Sequence, residues 1–151
     1  MAVSLELIKQ LRDKTSASVA DIREALEDSK GDLKKAEEIL REKGFERANK
    51  KGDRATNAGL IDSYIHQGRV GAIVEVLCET DFVARTDEFK TLTHEIAMQV
   101  ASMNPKDNSD LLSQEYIRDP SKTIQDLIKE SIAKLGENIT VGRFSRFEIG
   151  K

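Results

Sequence analysis

Cysteine occurs once in the 151 residues, so no disulfide framework can form within the chain. A reducing compartment is therefore the expected home. No apolar stretch approaches the roughly 18 residues that a membrane span requires. The first ten residues, MAVSLELIKQ, already carry charges and contain no uninterrupted signal core. They also lack the acid-poor, Arg- and Ser-rich character of a transit peptide. The chain is expected to work where it is made, in the cytoplasm or in the stroma or matrix of an organelle that encodes it. No excess of positive charge exists either. Net charge is −3 and the isoelectric point is near 5.5, which argues against a nucleic-acid binder and against a membrane-surface protein.

Catalytic residue types are equally scarce. Only two histidines occur, His66 and His94. HEIAM (94–98) opens like a zinc-protease helix but has no second histidine four residues on, so zinc ligation is not expected there. Cys78 lies inside an apolar run and reads as a small buried hydrophobe rather than a nucleophile. There is no phosphate-binding Walker loop and no Gly-x-Gly-x-x-Gly between a strand and a helix. Acidic pairs such as Glu37–Glu38 belong to polar helix faces. Covalent catalysis is not expected, and neither a metal nor a cofactor is implied.

What is present is regular patterning. Leu5, Ile8 and Leu11 recur at helical spacing behind Ser4, a natural N-cap. Ser18 with Asp21 three residues on opens a second helix, with Val19, Ile22 and Leu26 along one face. Gly31 ends it and Asp32 caps a third, whose face is Leu33, Ala36, Ile39 and Leu40 and whose stop is Gly44. Residues 1–45 thus predict a three-helix bundle. ERANKKGDRATNAG (46–59) is polar and basic, and reads as a tether, helical at first and extended after.

From residue 59 the period changes. LIDSYIH (60–66), the turn QGR (67–69) and VGAIVEVLCE (70–79) predict an antiparallel hairpin. Thr86 or Asp87 caps a helix with Phe89, Leu92, Ile96, Ala97 and Val100 on its inner face. Residues 103–110 read as a loop, with Pro105 ending the helix. Residues 121–136 predict a further helix, with Ile124, Leu127, Ile128, Ile132 and Leu135 inward and Gly136 as its stop. ITVGRFSRFEI (139–149) is the third strand. The fold class is α+β: a helical bundle, a linker over 46–58, and a three-stranded, mostly antiparallel sheet packed with helices over 59–151.

One stretch remains, CETDFVAR (78–85), where a carboxylate, Asp81, stands beside an aromatic, Phe82, as a strand hands over to a helix. Thr80 or Asp81 can cap the turn, and Phe82 can be buried beneath the sheet. Connections lie on surfaces, however, and an exposed ring at such a tip would be an anchor for a partner.

These residues carry a resemblance. CETDFVAR after GRVGAIVEV (68–76) is similar to the signature of the elongation factor Ts family, the guanine-nucleotide exchange factors of elongation factor Tu. LIKQLRDKTSASVADIREALEDSKGDLKKAEEILREKG (7–44) resembles that family's ubiquitin-associated-like helical domain. HEIAMQVASMNP (94–105) and KLGENITVGRFSRFEIG (134–150) resemble segments of its core. The resemblance covers nearly the whole chain in order. It implies that Thr80, Asp81, Phe82, Val83 and Ala84 are pushed into the GTPase near its magnesium site. It also implies that Arg12 and Val19 in the bundle, and His66 at the hairpin, touch the same partner.

Three departures accompany it. The family's Thr-Gly-Ala-Gly-Met-Met-Asp turn appears here as TSASVAD (15–21). The chain has room for one core sheet unit where longer members carry two, which suggests a homodimer through the sheet around Phe144 and Phe147. The family's helical excursion is cut to KDNSDLLSQEYIRDPSK (106–122). Two rival readings are a ubiquitin-binding module on a small scaffold, and a nucleic-acid binder using Lys50, Lys51, Arg54, Arg69, Arg143 and Arg146. The scarcity of aromatics, 5%, weighs against the second.

Overall fold

A computed structural model describes residues 3–151. Three helices come first: α1 (Leu5–Thr15), α2 (Val19–Asp28) and α3 (Leu33–Lys50). Their caps are the expected ones. The Ser4 hydroxyl accepts from the amides of Glu6 and Leu7, that of Ser18 from Asp21, and the Asp32 carboxylate from Lys34 and Lys35. Each satisfies amides that a helix start leaves without intrahelical partners. Ile8, Leu11, Ile22, Ala25, Leu26, Ala36 and Leu40 form the bundle's own core.

Val19 does not share that core, although it shares a face with Ile22 and Leu26; it is 37% exposed. It is the first residue of α2. Gly44 does not end α3 either. The helix runs on through it to Lys50, and a Cβ on Gly44 would stand 3.0 Å from the Cβ of Ala133. Glycine here lets two helices approach, rather than letting one stop. The stretch expected to become a free tether is instead held on the body of the protein, through Asn138 and Thr140.

The sheet comprises β1 (Ala58–His66), β2 (Val70–Cys78) and a long C-terminal strand. Between β2 and that strand come α4 (Asp81–Ala84), α5 (Asp87–Met103), α6 (Asn108–Ser113), a two-stranded ladder of β3 (Glu115–Tyr116) and β4 (Asp119–Thr123), and α7 (Ile124–Leu135). The last strand, β5, is Ile139–Glu148, and the order β1-β2-β5 is antiparallel throughout. Ala58 faces Cys78 and His66 faces Val70, so the turn falls at Gln67 and Gly68, both at positive φ.

One face of the sheet meets α5 and α7. Ala72, Val74, Val76 and Cys78 pack there with Phe89, Leu92, Ile96, Val100, Ile128 and Ile132. The other face is open and apolar: Ile61, Ile65, Ile73 and Phe147 all stand exposed. Phe144, on the opposite side of its strand, packs on the core.

The segment 106–122 is more ordered than its composition predicts. Asp107 caps α6 by accepting from the Asp110 amide at 2.8 Å. Gln99, fully buried on α5, organises the residues after α6: its amide donates to Glu115 O and Gln114 Oε1, and its oxygen accepts from the Ile117 amide. Tyr116 donates to Glu95 at 2.8 Å. Burial, then that carboxylate, push the Tyr116 phenol up to about 12.

Candidate functional site

The stretch from Cys78 to Thr86 is built by two opposed demands. Strand β2 must end, and α5 must begin nearby with its apolar face already turned inward. A four-residue helical turn meets both. Thr80 sits in the extended region and caps it, accepting from the Val83 amide, while the Ala84 and Arg85 amides donate to Thr80 O and Asp81 O. Val83 and Ala84 then point into the core, at 9% and 2% exposure. The helical period leaves the other two residues outward. Phe82 is 88% exposed, and Asp81 is exposed beside it.

The burial expected as one alternative for Phe82 is therefore overturned, because Val83 and Ala84 take the inward positions. Capping by Asp81 is overturned too, because Thr80 does it. Among the described residues the Asp81 carboxylate has no hydrogen-bond or ion-pair partner.

The turn is held from both ends. Glu137, in the loop before β5, accepts from the Thr80 amide at 2.9 Å and from its hydroxyl at 2.7 Å. The Thr86 hydroxyl donates to Val83 O at 2.7 Å and accepts from the Phe89 amide, so it closes α4 and opens α5 at once. Cys78 donates its thiol to Thr80 O, and burial pushes that thiol up, with the charges of Glu137 and Asp81 adding to the effect. It is a packed thiol, not a reactive one. The result is a bare benzyl group on a fixed base, with a free carboxylate next to it.

Glu137 is the residue that sequence reasoning missed. It lies 57 positions from Thr80, inside the KLGENI stretch, where no local signal marks it. Replacing it by alanine is expected to cost about 1 kcal/mol, typical of a lost hydrogen-bonding partner at a partly solvated site. Differential scanning calorimetry would show that as a fall of roughly 2–4 °C.

The other predicted residues lie apart from this turn. Arg12 is exposed on α1 and has no ion-pair partner among the described residues; Val19 stands exposed across the α1–α2 corner. Both belong to the helical bundle. His66 is at the far end of β1 from α4, a strand of nine residues or roughly 27 Å at the usual rise. Its ring nitrogen lies 3.1 Å from the Tyr64 hydroxyl, and Tyr64 in turn meets His94 edge-on. His94 contacts Asp62 at 3.1 Å. The structure thus gathers Thr80–Ala84 into one turn, and leaves Arg12 with Val19, and His66, as separate exposed points. Among the described residues no group of acidic, histidine and cysteine side chains is arranged to hold a metal.

The chain is similar to known proteins over nearly all of its length. The family model described as Elongation factor TS matches residues 79–151, which includes the whole α4 turn. Elongation factor Ts of Coprothermobacter proteolyticus is 44% identical, with 100% of each chain covered. Elongation factor Ts of Thermoanaerobacter sp. (strain X514) is 43% identical over 99% of this chain and 96% of its own, and that of Thermotoga maritima 42% over 100% and 98%. These alignments run to 195–197 positions against 151 residues here, so the relatives carry additional segments. With identity above 40% along its whole length, and a fold that presents the signature turn at its surface, the chain belongs to the elongation factor Ts family.

Proposed function

We propose that this protein is a guanine-nucleotide exchange factor for elongation factor Tu, and that it works by inserting the Thr80–Ala84 turn beside the partner's magnesium and phosphate site. The observation that carries the reading is the exposure of Phe82, 88%, on a turn fixed by Thr80, Glu137 and Thr86. A well-anchored chain that leaves its bulkiest side chain in water forgoes about 1.5–3 kcal/mol of burial. A partner recovers it.

The chemistry needs no covalent step. GDP is held by a GTPase largely through Mg²⁺ and through donors around the phosphates. A ring driven in beside that site displaces the elements that carry those ligands, and the unpaired Asp81 carboxylate competes within the same polar network. Exchange is then linkage: a factor that prefers the nucleotide-free partner weakens nucleotide binding by the same ratio. Each 1.4 kcal/mol of preference is about tenfold. Phe82 alone is too small for a very large effect, so Arg12 and Val19 of the bundle (residues 1–45) and His66 of the core (59–151) are proposed as further contacts. The protein needs no cofactor of its own, and acts in the compartment where translation runs.

A homodimer is the second part of the proposal. The outer sheet face carries Ile61, Ile65, Ile73, Phe147 and Ile149, all exposed, and Gly71 between Ile65 and Phe147 leaves a hollow that a partner ring fills. A second copy offers the same surface, as a twofold interface demands. Sedimentation at micromolar concentration is expected to show a dimer that Phe147→Asp converts to monomer; a wild-type monomer would contradict it. Exchange itself is tested by stopped-flow release of labelled GDP from elongation factor Tu, where acceleration supports the reading and an unaltered rate refutes it.

A further inference from the structure

We infer that the contact between α3 and α7 is a rigid brace, with Arg41, Gly44 and Glu130 as its positioning residues, which holds the Arg12–Val19 corner at a set distance from Phe82. The purpose assigned to the brace rests on the exchange reading; its rigidity does not. Polar, basic residues 46–59 predict a loose tether, which would let the bundle and the sheet unit move independently. Three sets of contacts contradict that expectation.

The first is α3 itself. One unbroken helix of 18 residues contributes Ala36 and Leu40 to the bundle core and Ala48, 3% exposed, to the core under the sheet. A helix shared between two cores leaves no hinge between them. The second is its contact with α7. Gly44 brings the backbones together against Ala133, and Arg41 spans the groove to Glu130 at 3.5 Å and Asp126 at 3.9 Å. Lys122 holds Glu130 from behind at 2.9 Å, and Phe45 is clasped between Arg41 and Lys129. A cleft of about 410 Å³ lies between α1 and α7 beside this contact, so α3 carries the joint.

The third is the return segment. Asn138, 3% exposed, donates its amide to Arg54 O at 2.8 Å and to Gly52 O, while Arg54 reaches Glu79 at 3.6 Å and Thr56 meets Thr140 at 3.1 Å. Asn138 is adjacent to Glu137, which grips Thr80. One corner of the loop before β5 therefore fastens both the end of the α3 segment and the base of the Phe82 turn. The path from the bundle to the inserted ring is continuous through packed and hydrogen-bonded groups.

A rigid spacing means that two contacts with one partner form together, without the ordering cost of a flexible connection. A tether would instead supply only an effective concentration set by its length.

The test joins a distance and a rate. Spin labels at Glu27→Cys and Lys90→Cys, in a Cys78→Ala background, should give a narrow distance distribution in the free protein. Gly44→Leu, and Arg41→Ala as the milder second variant, should broaden it. The same variants should raise KM for GDP-loaded elongation factor Tu by about fivefold or more while leaving kcat within about twofold, since preorganisation acts on binding. A merely destabilised protein would lose kcat per mole instead. Gly44→Cys with Ala133→Cys, whose Cβ atoms would start 3.0 Å apart, a little under the ~3.5–4.5 Å of a disulfide, should behave as a loosened variant when reduced and regain the narrow distribution and the lower KM when oxidised. A broad wild-type distribution, an oxidised form that no longer exchanges, or loosened variants with unchanged KM would each overturn the brace. If the wild type fails to release GDP at all, the exchange reading falls, and a narrow distribution still stands for the rigid joint.

Discussion

Replacing Phe82 by alanine is expected to leave the melting curve in place and to slow factor-driven GDP release roughly ten- to a hundredfold, the rate equivalent of about 1.5–3 kcal/mol. The two halves of this expectation come from the same fact. At 88% exposure the ring contributes almost nothing to its own fold, so its loss opens no cavity. The base of the turn survives, because Thr80, Val83, Ala84 and Thr86 make the contacts that hold it. All that is removed is the group that a partner would bury. A melt that falls by several degrees would show that the ring packs at home; unaltered release with a native melt would remove it from the mechanism. Asp81→Asn separates the neighbouring charge from the ring, since the amide keeps the shape.

Gly59→Ala is expected to be the most damaging single methyl in the sheet. Gly59 sits at φ +152 opposite Leu77, and a Cβ there would collide with the carbonyl oxygen of Val76 and stand 2.9 Å from the Leu77 Cα. Neither is the end of a flexible side chain. The start of β1 would have to leave β2, at a cost of about 2–5 kcal/mol from backbone strain and overpacking together. For a chain of this size that is of the order of 10 °C in Tm. Gly68→Ala is the control: its φ is also positive, +66, yet nothing lies within 4 Å of its Cβ site. It should cost only the conformational term, about 1–2 kcal/mol. Equal losses at the two positions would contradict a steric origin.

The helices and the hairpin were legible because local signals agreed with one another. Ser4, Ser18, Asp32 and Thr86 cap where their side chains predict, and the apolar spacing of α5 selects Phe89, Leu92, Ile96 and Val100, each nearly or fully buried. Gly136 stops α7 in the left-handed region, and β2 alternates as a half-buried strand should. Gly44 shows where such reasoning ends. A glycine near the end of a helical pattern is indistinguishable from a stop until Ala133, 89 positions away in the chain, is seen against it.

The region 106–122 was illegible for a related reason. Its elements are only two to six residues long, too short for a period to show. Their order is supplied from outside by Gln99 and Glu95 of α5. At the candidate turn, the sequence named the residues and could not say which way they faced. Burial of Phe82 and its exposure differ only in whether Val83 and Ala84 occupy the inward positions. Glu137, the clamp, is reached through the tertiary fold alone.

The ring is held to act on the partner's cation site. The most direct test is release of labelled GDP from elongation factor Tu by the wild type and by Phe82→Ala, each with Mg²⁺ present and with Mg²⁺ removed by chelation. If Phe82 works by dislodging the elements that hold the ion, removing the ion does part of its task beforehand, and the gap between the two proteins narrows. An equal ratio of rates with and without Mg²⁺ would contradict the claim.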